Sequence, residues 1–222
     1  MNQIPQGEAL QVLKTLEDRS IDCLITDPPY SIGVTSHGNI QTWLDNIMLY
    51  PFWVEYFTQI KRVLKDNASF YINCDWRTYP FIYPHCASKL VVRNCIVWDY
   101  EWIKAGSHYR FSHEFILYGT KNDNVKRTFE PSKENRDVWR IAPLNFTRTN
   151  KRHQAEKPED LIRKMILNST KEGDVVLDTF VGSGTTAVVA KELKRNFIGI
   201  ELNKDYKEMA EERLRNMPVS LL

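Results

Sequence analysis

The stretch from Asp174 to Glu201 constrains the fold more than any other part of the chain. Asp174–Thr179, with Val175-Val176-Leu177 at its centre, reads as a buried strand; Thr185–Leu193 is a helix, and Asn196–Glu201 is a second strand. The first strand turns into the helix through Phe180-Val181-Gly182-Ser183-Gly184. Strands alternating with helices argue for a parallel sheet covered by helices. Glycines at such a turn let the backbone bend tightly and approach a ligand closely. Glu201, ending the second strand, is placed to accept hydrogen bonds from ribose hydroxyls. The pattern is that of a nucleoside-containing cofactor on a Rossmann-like half. A dinucleotide fingerprint has a third glycine where this chain has Ala187, a replacement it tolerates, so NAD stays open here. Asp178 before the loop and Phe180 at its start suit a cofactor with a cationic end better.

A second element ends another strand. Ile21–Thr26 is apolar and strand-like, and it stops at Asp27-Pro28-Pro29-Tyr30 because two prolines cannot continue a central ladder. Ligands of open parallel sheets bind outside the carboxyl ends of the strands, so this element and the glycine loop should face one crevice. An aromatic amino group is a poor nucleophile because its lone pair is delocalised into the ring. A carboxylate (Asp27) and a stiffly held carbonyl (Pro28), accepting its two N–H bonds, would free that lone pair. Pro29 stiffens the pair, and Tyr30 offers a ring for a flipped base. In isolation the element could equally be a proline turn with a capping Asp.

The remaining pattern is consistent with these two. A short helical pattern opens at Gly7–Leu10, with Leu10, Leu13 and Leu16 on one face. Tyr50–Leu64 reads as a helix, Ala68–Cys74 as a strand and Pro80–Leu90 as a helix; Ile96–Ile103 and Glu114–Thr120 read as an antiparallel hairpin. Glu159–Ser169 and Lys204–Arg215 are helical, the latter with its charges on a solvated face. Ser31–Asn46 reads as a loop. Lys121–Arg152 is polar and irregular, and is expected to be a surface excursion or small insert in one domain spanning 1–222.

Net charge is only +2 over 222 residues, so any nucleic-acid footprint must be local. The locally basic stretch carries Lys126, Arg127, Arg136, Arg140, Arg148, Lys151 and Arg152, which makes it the candidate nucleic-acid-binding region. The four cysteines form no CxxC pair and no histidine spacing supports a metal site. They read as buried free thiols in a reducing compartment. The tryptophans read mainly as core or edge packing. With no signal peptide and no membrane-length apolar run, the expectation is a cytoplasmic protein without membrane contact.

Taken together, these residues resemble the DNA amino-methyltransferases. Asp27-Pro28-Pro29-Tyr30 is similar to their catalytic motif and Phe180–Thr186 to their S-adenosylmethionine loop. The order, catalytic element first and cofactor loop last, resembles the circularly permuted β class. Arg62-Val63-Leu64-Lys65, Ser112–Leu117 and His153-Gln154-Ala155-Glu156-Lys157-Pro158 extend the likeness from about Gly7 to Leu214. Gln154 stands where the family usually has proline, and Ser31 where it often has Asn after the Tyr. The resemblance implies an α/β, Rossmann-like S-adenosylmethionine-dependent methyltransferase fold, mostly parallel with an antiparallel hairpin. It implies cofactor contacts from Asp27, Lys157, Asp178, Phe180, Gly182, Gly184, Thr185, Thr186, Glu201 and Asn203. It implies DNA as substrate and a homodimer as the assembly. Asp at the first catalytic position points, by resemblance, to adenine N6. A cytosine-N4 methyltransferase, a nicotinamide-dependent oxidoreductase and a non-catalytic nucleic-acid-binding module remain as alternatives.

Overall fold

The structure, a computed structural model, describes residues 2–29, 49–101, 103, 108–123, 135–143 and 156–217. Tyr30, the expected loop through Asn46, and Lys126, Arg127, Arg148, Lys151 and Arg152 lie outside these. The described strands are β1 (Ile21–Thr26), β2 (Leu64–Cys74), β3 (Val91–Asp99), β4 (His113–Thr120), β5 (Val138–Arg140), β6 (Val175–Asp178) and β7 (Asn196–Gly199). They form one sheet in the order β5-β3-β4-β2-β1-β6-β7. β4 alone runs against its neighbours β2 and β3; the other pairings are parallel. The sheet is Rossmann-like, mostly parallel, with an antiparallel β3–β4 pair.

Helices α1 (Ala9–Leu13), α2 (Tyr50–Val63) and α3 (Tyr79–Ala87) cover one face. Helices α4 (Glu159–Ser169), α5 (Thr185–Glu192) and α6 (Lys204–Arg215) cover the other. Strand alternation feeds both cores. Leu24, Val175, Leu177 and Ile198 point to the first, and Cys23, Ile25, Val176 and Phe197 to the second. On α4 the buried residues Leu161, Ile162, Met165 and Ile166 repeat at helical spacing. Along β7 the N-terminal segment adds bridges from Gln3 to Ile198 and from Gln6 to Glu201. Asn2 also exchanges hydrogen bonds with Phe197.

Several boundaries differ from the sequence reading. Leu64 does not finish α2 but opens β2, because its backbone is already extended (ψ 137°). β3 spans Val91–Asp99 rather than Ile96–Ile103, since its partner β4 extends from His113, opposite Asp99, to Thr120, opposite Val91. It ends where Asp99 Oδ1 accepts the Glu101 amide (3.0 Å) and Glu101 turns to φ 55°. Within Lys121–Arg152, the part described is not all excursion. Val138–Arg140 pairs with β3, Trp139 is buried, and the Lys121 ammonium donates to Leu64 O (2.7 Å). Trp53, Trp98 and Trp139 are core, whereas Trp76 is 55% exposed. Cys23, Cys74 and Cys86 are buried free thiols; Cys95 is half-buried. Among the described residues no helix is long and apolar enough to cross a membrane.

Candidate functional site

β1, β2, β6 and β7 all end at one edge of the sheet, and a cavity of about 730 Å³ opens there. Asp27, Pro28 and Pro29, from the end of β1, form one side. The loop after β6 forms the other, with Asp178, Phe180, Val181, Gly182 and Thr185–Thr186 on the wall. Glu201, just beyond β7, completes it. The two elements expected to share a crevice therefore do, although 150 residues of chain separate them.

The glycine loop is fixed by backbone geometry and by Glu201. Gly182 and Gly184 adopt φ 52° and 83°, the left-handed region that glycine enters at least cost. Glu201 Oε2 accepts the Gly182 amide (2.8 Å) and Oε1 accepts the Asn203 amide (2.8 Å). Gly184 is off the cavity wall: a Cβ there would lie 2.6 Å from Ala210 Cβ on α6, so this glycine serves helix packing. Asn203 is off the wall too, and caps α6 by accepting from the Asp205 and Tyr206 amides.

Beneath the loop the Asp178 carboxyl is buried and pushed up to about 6, chiefly by desolvation. Hydrogen bonds from Thr186 and the Phe180 amide oppose that shift, while the Asp27 charge adds to it. A hydroxyl cluster lies alongside: Thr179 Oγ1 is 2.8 Å from Thr26 Oγ1 and 2.7 Å from the Tyr56 hydroxyl.

Lys157, expected as a cofactor contact, lines the same cavity and is also tied into a network of charges. Its ammonium sits 2.8 Å from Asp27 Oδ2 and 2.9 Å from Glu114 Oε2. Burial disfavours this charge, but the two carboxylates outweigh it and hold Lys157 above the usual lysine range. Glu114 also takes a hydrogen bond from the buried Tyr100 hydroxyl. One residue back, Glu156 pairs with Arg213 of α6 (3.1 Å), and Arg213 also donates to Ser183 O (2.8 Å). Arg213 is thus no part of a solvated face; its side chain is 7% exposed. A line of ion pairs, Arg213–Glu156 then Lys157–Asp27, connects the glycine loop to the end of β1 through adjacent residues.

Sequence reasoning missed a third wall. Phe52 and Trp53 of α2, Gly7–Leu10 and Asn73 of β2 also line the cavity. Helical period marks Trp53 as apolar-facing but cannot separate core from cavity. Asn73 Nδ2 donates to Thr26 O (3.1 Å). Two buried polar atoms on this wall, Asn73 Oδ1 and Trp53 Nε1, have no hydrogen-bond partner among the described residues. Of the basic candidates, Arg140 ends β5 at the same sheet edge, 3.8 Å from Asp99. Arg136 precedes β5 and lines a separate small cleft with Tyr71 and Asn94.

Fold and cleft define a Rossmann-like α/β protein with an acid-lined site at the carboxyl edge of its sheet. The sequence matches the DNA methylase family over residues 21–212, and the chain belongs to that N6/N4 DNA methyltransferase family. It is 37% identical to the type II methyltransferase M.HpaI of Haemophilus parainfluenzae, over 94% of this chain and 72% of that one. It is 31% identical to the DNA adenine methyltransferase YhdJ of Escherichia coli K12, over 95% and 82%. The crystal structure of the M1.HpyAVI–SAM complex superposes with a TM-score of 0.73 at 29% identity, covering 97% of this chain and 99% of that one.

Proposed function

We propose that this chain transfers the methyl group of S-adenosylmethionine to the N6 amino group of adenine in DNA. The observation that carries the reading is that Asp27-Pro28 and the Gly182–Glu201 arrangement line one cavity. The cavity suits this cofactor. Its volume lies within the usual range for small-molecule sites. Asp178 and Glu201 offer negative charge and ribose acceptors, Phe52, Trp53 and Phe180 supply apolar walls, and Asn73 Oδ1 is an acceptor in want of a donor. Glu201, Asp178, Phe180 and Gly182 would hold the cofactor, with Thr185 and Thr186 at the start of α5. Bound there, it supplies an electrophilic methyl group on a sulfonium.

The chain's own residues act on the amino group. Asp27 and the Pro28 carbonyl accept its two N–H bonds and draw the lone pair out of conjugation. Lys157 pairs with Asp27 and orients it, so the acceptor is set before the base arrives. Tyr30, outside the described residues, stacks on the flipped base by resemblance to the family. DNA contacts come from the basic stretch, with Arg140 at the site edge, Lys126, Arg127 and Arg136 before it in sequence and Arg148, Lys151 and Arg152 after it. The relative named as a DNA adenine methyltransferase supports adenine over cytosine. The test is to methylate unmodified genomic DNA with the purified chain and digest it to nucleosides. N6-methyldeoxyadenosine is expected; N4-methyldeoxycytidine would reassign the base, and no methylated nucleoside would remove the activity.

A further inference from the structure

We infer that Trp76, Arg77 and Phe111 form a stacking surface for unpaired DNA bases at the sheet edge that carries the cavity, an inference that rests on the methyl-transfer reading above. The sheet register puts them there. β1 and β2 are parallel, with Thr26 opposite Ile72, so Asp75-Trp76-Arg77 leave the sheet beside Asp27-Pro28-Pro29. β4 enters at that same edge, with Phe115 opposite Cys74, which brings Phe111 alongside.

The three side chains form one unit. The Arg77 guanidinium carbon lies 5.1 Å from the Trp76 ring centroid and 5.3 Å from that of Phe111. Asp75 fixes the unit from below: its Oδ2 pairs with Arg77 (3.3 Å) and its Oδ1 accepts the Thr78 amide (2.8 Å). The guanidinium is thereby tethered to Asp75 while it meets both rings. Trp76 is 55% exposed, Phe111 38%, and nearby Tyr109 95%. A lone exposed ring needs no explanation, but rings clustered about a fixed guanidinium mark an interaction site.

The chemistry selects the partner. Indole, phenyl and guanidinium planes all stack on base faces, and the guanidinium adds charge for phosphates. Turning one base out of a duplex also unstacks its neighbours. A rigid aromatic surface next to the pocket that takes the flipped base can replace the lost stacking. This assignment is independent of the Lys121–Arg152 stretch, which contributes none of these rings.

The experiment uses the full chain saturated with S-adenosylhomocysteine. Fluorescence anisotropy measures its affinity for a mixed-sequence duplex and for a single strand of the same length. Trp76→Ala and Phe111→Ser should each weaken DNA binding roughly 5- to 150-fold, the range for loss of one stacked ring. Trp76→Phe should keep most of the affinity, and S-adenosylhomocysteine affinity should not change in any variant. Wild-type protein that methylates genomic DNA, alongside Trp76→Ala and Phe111→Ser that bind and methylate equally well, would overturn the surface alone. Wild-type protein that binds S-adenosylhomocysteine but neither binds nor methylates DNA would overturn the methyl-transfer reading and this surface together.

Discussion

The Lys157 ammonium and the Asp27 carboxylate form a 2.8 Å ion pair in which only 11% of the lysine side chain meets solvent. Glu114 on its other side makes this one cation between two carboxylates. Removing the cation leaves two like charges facing each other in a poorly solvated site. Lys157→Met should destabilise the fold by about 3–5 kcal/mol, the usual cost of orphaning a buried partner. It should also lower kcat sharply, and Lys157→Arg should restore part of both. Thermal unfolding and single-turnover methyl transfer check this. A rise in KM for S-adenosylmethionine with kcat untouched would instead make direct cofactor contact the role of Lys157.

Asp27→Asn tests the acceptor itself. The carboxylate is assigned to the amino group, so cofactor affinity should change little while methyl transfer falls about a hundred- to thousandfold, equivalent to ~3–4 kcal/mol of barrier. Isothermal titration with S-adenosylhomocysteine and a rate assay separate the two effects. Near-normal turnover would remove the assigned role.

Asp178 gives a pH signature. Its folded pKa of about 6 lies above the ordinary 3.8. The unfolded chain therefore sheds this proton first as pH rises, and the carboxyl destabilises the fold progressively between pH 4 and 6. Above that the cost is on the order of 3 kcal/mol. Asp178→Asn should raise Tm at pH 7.5 and leave it nearly unchanged at pH 4. A cationic cofactor end favours the ionised form, so S-adenosylhomocysteine affinity should rise with pH through about 6 in the wild type and stay flat in the variant. A flat wild-type profile would place the cationic end elsewhere.

Gly184 and Glu201 should fail in different ways. Gly184→Ala forces a Cβ into the left-handed region and against Ala210. The expected loss is stability, roughly 2–5 kcal/mol, with or without ligand. Glu201→Ala should weaken cofactor binding by ~1–3 kcal/mol and leave most of the fold intact. Equal Tm losses in the two variants would make Glu201 a structural brace alone.

Replacing Arg148, Lys151 and Arg152 together should flatten the salt dependence of DNA binding, because fewer counterions are released. Cofactor affinity should be unaffected. DNA affinity equal to wild type at every salt concentration would take the duplex off this stretch.

What could be read from the sequence was what is local. The strand before Asp27, the glycine turn and the acid at Glu201 each announce themselves within a few residues, and parallel-sheet geometry then puts them on one edge. The Lys157–Asp27 pair was not legible, since Asp27 and Glu114 lie far from Lys157 in sequence and meet it only once β1 and β4 share the sheet on either side of β2. Arg213 looked like one more charge on a polar helix, and only packing against Glu156 and Ser183 distinguishes it. β5 is three residues long and exists because β3 offers it an edge, so no periodic signal could reveal it.

The seam between β1 and β6 carries a consequence for biosynthesis. It pairs Cys23 with Val176, and the outer edge of β7 pairs with residues as early as Asn2 and Gln3. On the ribosome β1 is made early, yet the edge that β6 covers stays bare until Val175–Asp178 has followed. A bare strand edge is a template for other chains, and distant parallel pairings close slowly. Until then the nascent half-sheet keeps an open strand edge through which chains can associate.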